Sequence, residues 1–120
     1  MRVLVCGDRK WDSGAYLYGV LDAHHAINPI ACIIEGEAPG ADKWACYWAI
    51  SRGVTVEPHP ADWAWHGKSA GAIRNVEMLK QGKPDLVLAF HAQIANSKGT
   101  AHMIHIARKA HIDVRLFKGE

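Results

Sequence analysis

The chain has 120 residues, of which 49% are hydrophobic and 22% charged, and its formal net charge is +2 with histidines neutral. That length suits one compact domain over residues 1–120 and leaves no room for a second. So mild a charge argues against binding double-stranded nucleic acid, which asks for a clustered basic face. The apolar stretches fall far short of the roughly 18 residues needed to span a membrane. Cys6, Cys32 and Cys46 are odd in number and lack CxxC spacing, which argues against a disulfide framework or a zinc ribbon. Free thiols that act as small hydrophobes point to a reducing, cytoplasmic setting. The amino terminus enters a strand at once, unlike a signal peptide.

Short apolar runs alternate with helical patterns. In chain order the spacing predicts a strand at 2–6, a helix at 13–27, a strand at 30–35, a helix at 40–52 and a strand at 54–58. After a long connection come a helix at 70–81, a strand at 85–90, a helix at 99–110 and a strand at 113–117. The strands are continuous apolar runs, such as Leu86-Val87-Leu88-Ala89-Phe90, as parallel strands covered on both faces tend to be. Ser13 can cap the first helix and Asn28-Pro29 ends it. Gly53 and Gly82 stand where C′ glycines close the second and third. The expectation is a single Rossmann-like, doubly wound α/β domain, with a mainly parallel sheet of about five strands flanked by helices. Trp44 and Trp48, with Tyr47 beside them, face either the sheet or a partner subunit. A helix apolar on more than one side points to a homo-oligomer, most simply a homodimer.

In open α/β sheets ligands bind outside the carboxyl ends of the strands, and the unusual chemistry of this chain collects there. Gly7-Asp8-Arg9 follows the first strand. Arg9 can fork onto a phosphate, and Asp8 can accept from a ribose hydroxyl or orient Arg9; a surface Asp–Arg pair is the other reading. The loop is not GxGxxG, so it carries no dinucleotide fingerprint. Glu35 ends the second strand, followed by Gly36 and Glu37. A carboxylate there can take ribose hydroxyls or, with a pKa raised by burial, act as a general acid or base. Glu35 is therefore the catalytic candidate. Asp42 reads as a structural acid favouring the dipole of its helix.

The connection 59–69 is long beside the roughly 2–6 residues usual between a strand and a helix. It carries Trp63, Trp65, His66 and Lys68; His66 and Lys68 can close over a ligand, while the tryptophans either stack on a base or pack the loop down. Arg74-Asn75 lies one turn into the third helix, where a guanidinium either points back to the strand ends or lies exposed. Ser97-Lys98-Gly99-Thr100 opens the last helix. Unpaired N–H groups, a glycine allowing close approach, the Lys98 cation and the Thr100 hydroxyl suit a phosphate there; a plain helix cap is the alternative. The eight histidines include His24-His25 and the pair His102 and His105. Without HExxH or paired CxxC they give no ligand set, so neither a metal nor a cofactor is expected. There is no GxSxG elbow.

The series Val5-Cys6-Gly7-Asp8-Arg9-Lys10-Trp11, Glu35-Gly36-Glu37-Ala38-Pro39-Gly40-Ala41-Asp42, Pro60-Ala61-Asp62-Trp63, His66-Gly67-Lys68-Ser69-Ala70-Gly71, Arg74-Asn75 and Lys98-Gly99-Thr100-Ala101 resembles the SLOG superfamily. The resemblance is to its YspA/YpsA-related branch, common in bacterial and phage genomes, and covers essentially the whole chain. It implies a Rossmann-like fold and a nucleotide-type ligand at the strand ends. Relatives diverge in activity. LOG phosphoribohydrolases cut the N-glycosidic bond of nucleoside monophosphates with a PGGxGTxxE motif and an Arg-Lys pair; others bind nucleotide-derived signals such as cyclic ADP-ribose variants, and a DNA-processing relative binds single strands. Here Gly99-Thr100 matches the GT, and Arg74-Asn75 falls where the pair would be. The two leading glycines are absent, and Met103 stands at the glutamate position.

The leading expectation is binding of a nucleotide or ADP-ribose-like small molecule, as a sensor or sponge. Its phosphates would sit on Lys98–Thr100 and Gly7–Arg9, clamped by Arg74. The alternative is a nucleoside-monophosphate N-glycosidase or related hydrolase using Glu35. A third reading is single-strand nucleic-acid binding through the tryptophans and Lys68.

Overall fold

The computed structural model describes residues 1–119. Its elements are β1 (Arg2–Gly7), α1 (Gly14–Ile27), β2 (Cys32–Glu35), α2 (Ala41–Arg52), β3 (Thr55–Pro58), α3 (Trp63–His66), α4 (Ala70–Gly82), β4 (Leu86–Phe90), α5 (Gly99–Lys109) and β5 (Asp113–Phe117). All five strands are parallel, in the order β3-β2-β1-β4-β5. The chain first winds outward from β1 to β3, then crosses back and winds outward through β4 to β5. Right-handed crossovers place helices on opposite faces for the two directions. Accordingly Val3, Val5 and Ile33 pack with Leu17, Leu21 and Trp48 of α1 and α2. Leu4, Cys6 and Ile34 pack with Met78, Met103 and Ala107 of α4 and α5. Both faces of the central strands are thus covered, which is why their sequences read as unbroken apolar runs. The doubly wound α/β domain expected from the sequence is the fold observed.

Three local expectations change. Trp48 is fully buried in the subunit's own core, and its indole N–H donates to Asp22 Oδ1 at 2.8 Å. Trp44 packs against Tyr18 and donates to the Trp11 carbonyl at 3.0 Å. Both rings of the broad apolar face are therefore used within one subunit, and of that helix's large hydrophobic residues Tyr47 and Ile50 stay exposed. Gly82 is the last residue of α4, not a C′ glycine; Lys83 takes the left-handed conformation, with φ 47°. Gly82 is small for another reason, since a Cβ there would press on Ile34 at 3.1 Å. The connection 59–69 is not a plain loop. It contains α3, capped by Asp62 accepting from the Trp65 N–H at 3.0 Å, and a 3₁₀ turn at Gly67–Ser69. Among the described residues no helix is long and apolar enough to cross a membrane.

One polar cluster ties central β1 to edge strand β3 and to the end of α4. Arg2 donates from Nε to the Gly82 carbonyl at 2.7 Å and pairs with Glu57 Oε1 at 2.6 Å, while His59 Nε2 meets Glu57 Oε2 at 2.8 Å. The His59 contact, and then Arg2, hold the Glu57 carboxyl below its ordinary pKa. A carboxyl so lowered stabilises the fold above its unfolded-state pKa and loses that contribution as pH falls through the folded value. Glu57→Gln should therefore unfold with about 1 kcal/mol less stability at pH 7. Denaturant titrations should show the gap to wild type closing on acidification; a gap that persists well below pH 4 contradicts the assignment.

Candidate functional site

Where the winding reverses, the carboxyl ends of β1 and β4 lie side by side and a cleft of about 410 Å³ opens above them. That is the size of a small-molecule site, at the place where such sheets keep one. Its floor is set by close backbone approach. A Cβ at Gly7 would collide with the Phe90 carbonyl oxygen, which accepts instead from the Asp8 N–H at 2.8 Å. The Asp8 carbonyl in turn accepts from Trp11 N–H and Ala41 N–H, both at 3.1 Å, and its carboxylate takes the Lys10 N–H at 2.9 Å. The loop after β1 is thus fixed to the start of α2.

Opposite Asp8 stands His91, with Nε2 4.0 Å from Asp8 Oδ2. Its Nδ1 accepts from the Gln93 N–H at 3.1 Å, so the neutral imidazole carries its proton on Nε2, facing the cleft side. The Arg9 guanidinium lies over the Trp63 ring, 5.7 Å from its centroid, a cation–π contact. Trp65 is 81% exposed and does not line the cleft.

The second wall is a loop held by a carboxylate and a guanidinium. Asp42, buried at the start of α2, accepts through Oδ2 from the Gly36 N–H at 3.1 Å and the Ala38 N–H at 3.2 Å. Arg74 donates from Nη1 to the Gly36 carbonyl at 2.6 Å and from Nε to Asn75 Oδ1 at 3.1 Å. Its guanidinium fits only because Gly36 has no side chain; a Cβ there would collide with it. Asn75 continues the chain of contacts, donating to the Gly99 carbonyl at 3.1 Å. Ser97 Oγ accepts the Thr100 N–H at 3.0 Å at the entry to α5.

The segments 7–9, 74–75 and 98–100 therefore line one cleft. Glu35, Gly36 and Lys68 lie outside that lining. Gly36 acts through its backbone on Asp42 and Arg74. Lys68 is exposed on the 3₁₀ turn. Side chains alternate along a strand: Ile34 packs among the residues of α4 and α5, so Glu35 turns to the α2 face, and it does not line the cleft. There it is 1% exposed and accepts from the Glu37 N–H, holding Glu37 in its left-handed turn at φ 58°. Met103 is wholly buried on the sheet side of α5. The carboxylates that do line the cleft are Asp8 and Asp42. Burial pushes Asp42 up to about 6. Its bonds to Gly36 and Ala38 give it the structural role that its place in the sequence suggests.

The profile of a family described as YspA, cpYpsA-related SLOG (YAcAr) matches residues 1–66. The chain belongs to this family. The match includes Asp8, Arg9 and Asp42 and ends before Arg74 and the start of α5, whose part in the cleft rests on geometry. Gene 61 protein of Mycobacterium phage D29 is 40% identical over 119 positions, covering 94% of this SLOG chain and 93% of the phage protein. DNA processing protein A (DprA) of Streptococcus pneumoniae superposes with a TM-score of 0.71 at 16% identity, over 99% of this chain and 50% of its own. UDP-GlcNAc 2-epimerase of Neisseria meningitidis, solved with UDP-GlcNAc bound, gives 0.56 at 17% identity, over 97% of this chain and 32% of its own. The chain thus spans half and about a third of these two proteins, and the likeness is one of fold.

Among the described residues no group of three or more His, Cys, Asp and Glu is placed to hold a metal. His102 faces Asn75 and His105 is exposed. Burial raises the Glu35 carboxyl from 4.5 to about 7. A carboxyl so raised binds its proton more tightly when folded, so stability falls as pH climbs between those values. Glu35→Gln keeps an acceptor for the Glu37 N–H and should be more stable than wild type at pH 8, by on the order of 2 kcal/mol. Thermal melts across pH should show that advantage vanish near pH 4.5; a variant less stable at pH 8 contradicts the reading.

Proposed function

We propose that this SLOG domain binds a nucleotide-type small molecule by its phosphates and holds it intact, as a sensor or sponge would. The observation that carries the reading is convergence: Arg9, Arg74 and Lys98 meet the amino-terminal start of α5 in one cleft at the switch point. A helix start offers free N–H groups and a partial positive charge to an anion, and arginines supply paired donors that match phosphate oxygens. Arg74 is held in place before any ligand arrives by its bond to Gly36, which lowers the ordering cost of binding. Family membership and the nucleotide sugar bound by the epimerase support the same class of ligand.

A hydrolytic reading retains one observation in its favour, the buried Asp42 carboxylate in the cleft wall. Glu35 does not line the cleft, and Met103 offers no acid.

Binding is tested by melting the protein against a nucleotide panel. A ligand at ~100 times its Kd should add about 2.7 kcal/mol of stability. Arg74→Ala should weaken that ligand by roughly tenfold to a hundredfold, the loss of a charge-assisted pair. Arg74→Lys should fall between, keeping charge without the fork. A panel in which no phosphate-bearing compound shifts the melt contradicts the proposal.

A further inference from the structure

A second cleft, of about 350 Å³, adjoins the first across the loop that follows β1. Asp8 and Lys10 line both clefts, so that loop is the sill between two chambers. The sill is stiff: its turn is closed by the Trp11 N–H on the Asp8 carbonyl and by the Lys10 N–H on the Asp8 carboxylate. The exposed Lys10 side chain stands on it, where a phosphate passing from one chamber to the other would meet a cation.

The chemistry of the two chambers differs. The first gathers Arg9, Arg74 and Lys98 at the start of α5, while Lys118 is, among the described residues, the one cation of the second besides the shared Lys10. The second is walled by the rings of Trp11 and Tyr16, with centroids 5.9 Å apart and planes inclined at 51°. Trp11 is braced from behind by the edge of Phe90 at 5.6 Å and by its own indole N–H on the Ser13 carbonyl at 3.0 Å. Gly119, at φ 96°, lines the same cleft, where a Cβ would reach the Trp11 indole at 3.4 Å. Asp12 lies on this lining, and a carboxylate there can accept from the N–H groups of a ligand. Rigid aromatic walls with an acidic acceptor suit a planar heterocycle that carries an amine or ring N–H. Trp63, the aromatic group of the first chamber, is already covered by the Arg9 guanidinium.

Resting on the reading that the first cleft holds phosphates, we infer that the second cleft receives the base of the same nucleotide. The ligand class is then a nucleoside with a chain of phosphates, its base between the aromatic wall and Asp12, its phosphates crossing Lys10 toward Arg74 and the start of α5. Base recognition and phosphate recognition are carried by separate residues.

Calorimetric titration of wild type, Tyr16→Ala and Asp12→Ala with pyrophosphate, ADP and UDP tests this. Wild type should bind at least one of the nucleoside diphosphates about tenfold or more tightly than pyrophosphate, as one base–aromatic contact allows. Both variants should shrink that ratio and leave pyrophosphate affinity unchanged. If circular dichroism shows Tyr16→Ala unfolded, Asp12→Ala, at an exposed position, decides alone. Pyrophosphate bound as tightly as either nucleotide, or a ratio untouched by the variants, overturns the inference while leaving the phosphate site intact. Failure of all three probes to bind overturns the phosphate site itself, and the inference with it.

Discussion

Because β1 and β4 run side by side in parallel, from Val3↔Leu86 to Gly7↔Phe90, the chain must wind away from them in opposite directions. The loops that leave their carboxyl ends therefore part, and the gap between them is the cleft. What keeps the gap well defined is the approach of Gly7 and Asp8 to the Phe90 carbonyl, closer than any side chain at position 7 would permit. The loops after β1 and β4 are placed relative to that contact. The Asp8 carbonyl anchors the start of α2, and His91 follows Phe90 directly.

The second support is the carboxylate–backbone–guanidinium arrangement at Gly36. Asp42 holds its N–H and Arg74 its carbonyl, so an acid from one helical layer and a base from the other grip opposite ends of one residue. The two layers are otherwise separated by the sheet. Arg74 owes its fixed position to this contact, and Asn75 passes the constraint on to Gly99 at the entry of α5. The positive groups of the cleft are arranged before a ligand arrives, in the way expected of a site that selects anions by geometry as well as charge.

Much of this was legible in the sequence because strands buried on both faces read as continuous apolar runs and helix ends carry their own markers. Ser13 and Gly53 fall where their residue types predict. Gly82 misled because its small size serves packing against Ile34, while Lys83 takes the left-handed turn. Glu35 misled for a different reason. That Glu35 and Ile34 face opposite ways follows from strand periodicity, but which face borders the cleft depends on strand order, which no local pattern reveals. Asp42 reads as structural, and it is so, but its hold on the Gly36 and Ala38 N–H groups goes beyond the helix dipole. The signal was present in the small residues Gly36, Ala38, Gly40 and Ala41 just before it, which let the loop fold back onto the carboxylate. Trp44 and Trp48 left the sheet and a partner subunit equally open, because the packing of α1 over α2 is not written in the sequence of α2.

The central claim is that the cleft retains a phosphate-bearing nucleotide without consuming it. The direct measurement is mass spectrometry of the heat-released bound fraction and of the filtrate, after purified protein is incubated with a nucleotide and cyclic-dinucleotide panel, with Arg74→Ala run in parallel. The account predicts one nucleotide-type species recovered intact from wild type and lost from the variant. Free base or ribose phosphate accumulating in the filtrate, or a bound fraction empty of any phosphate compound, contradicts it.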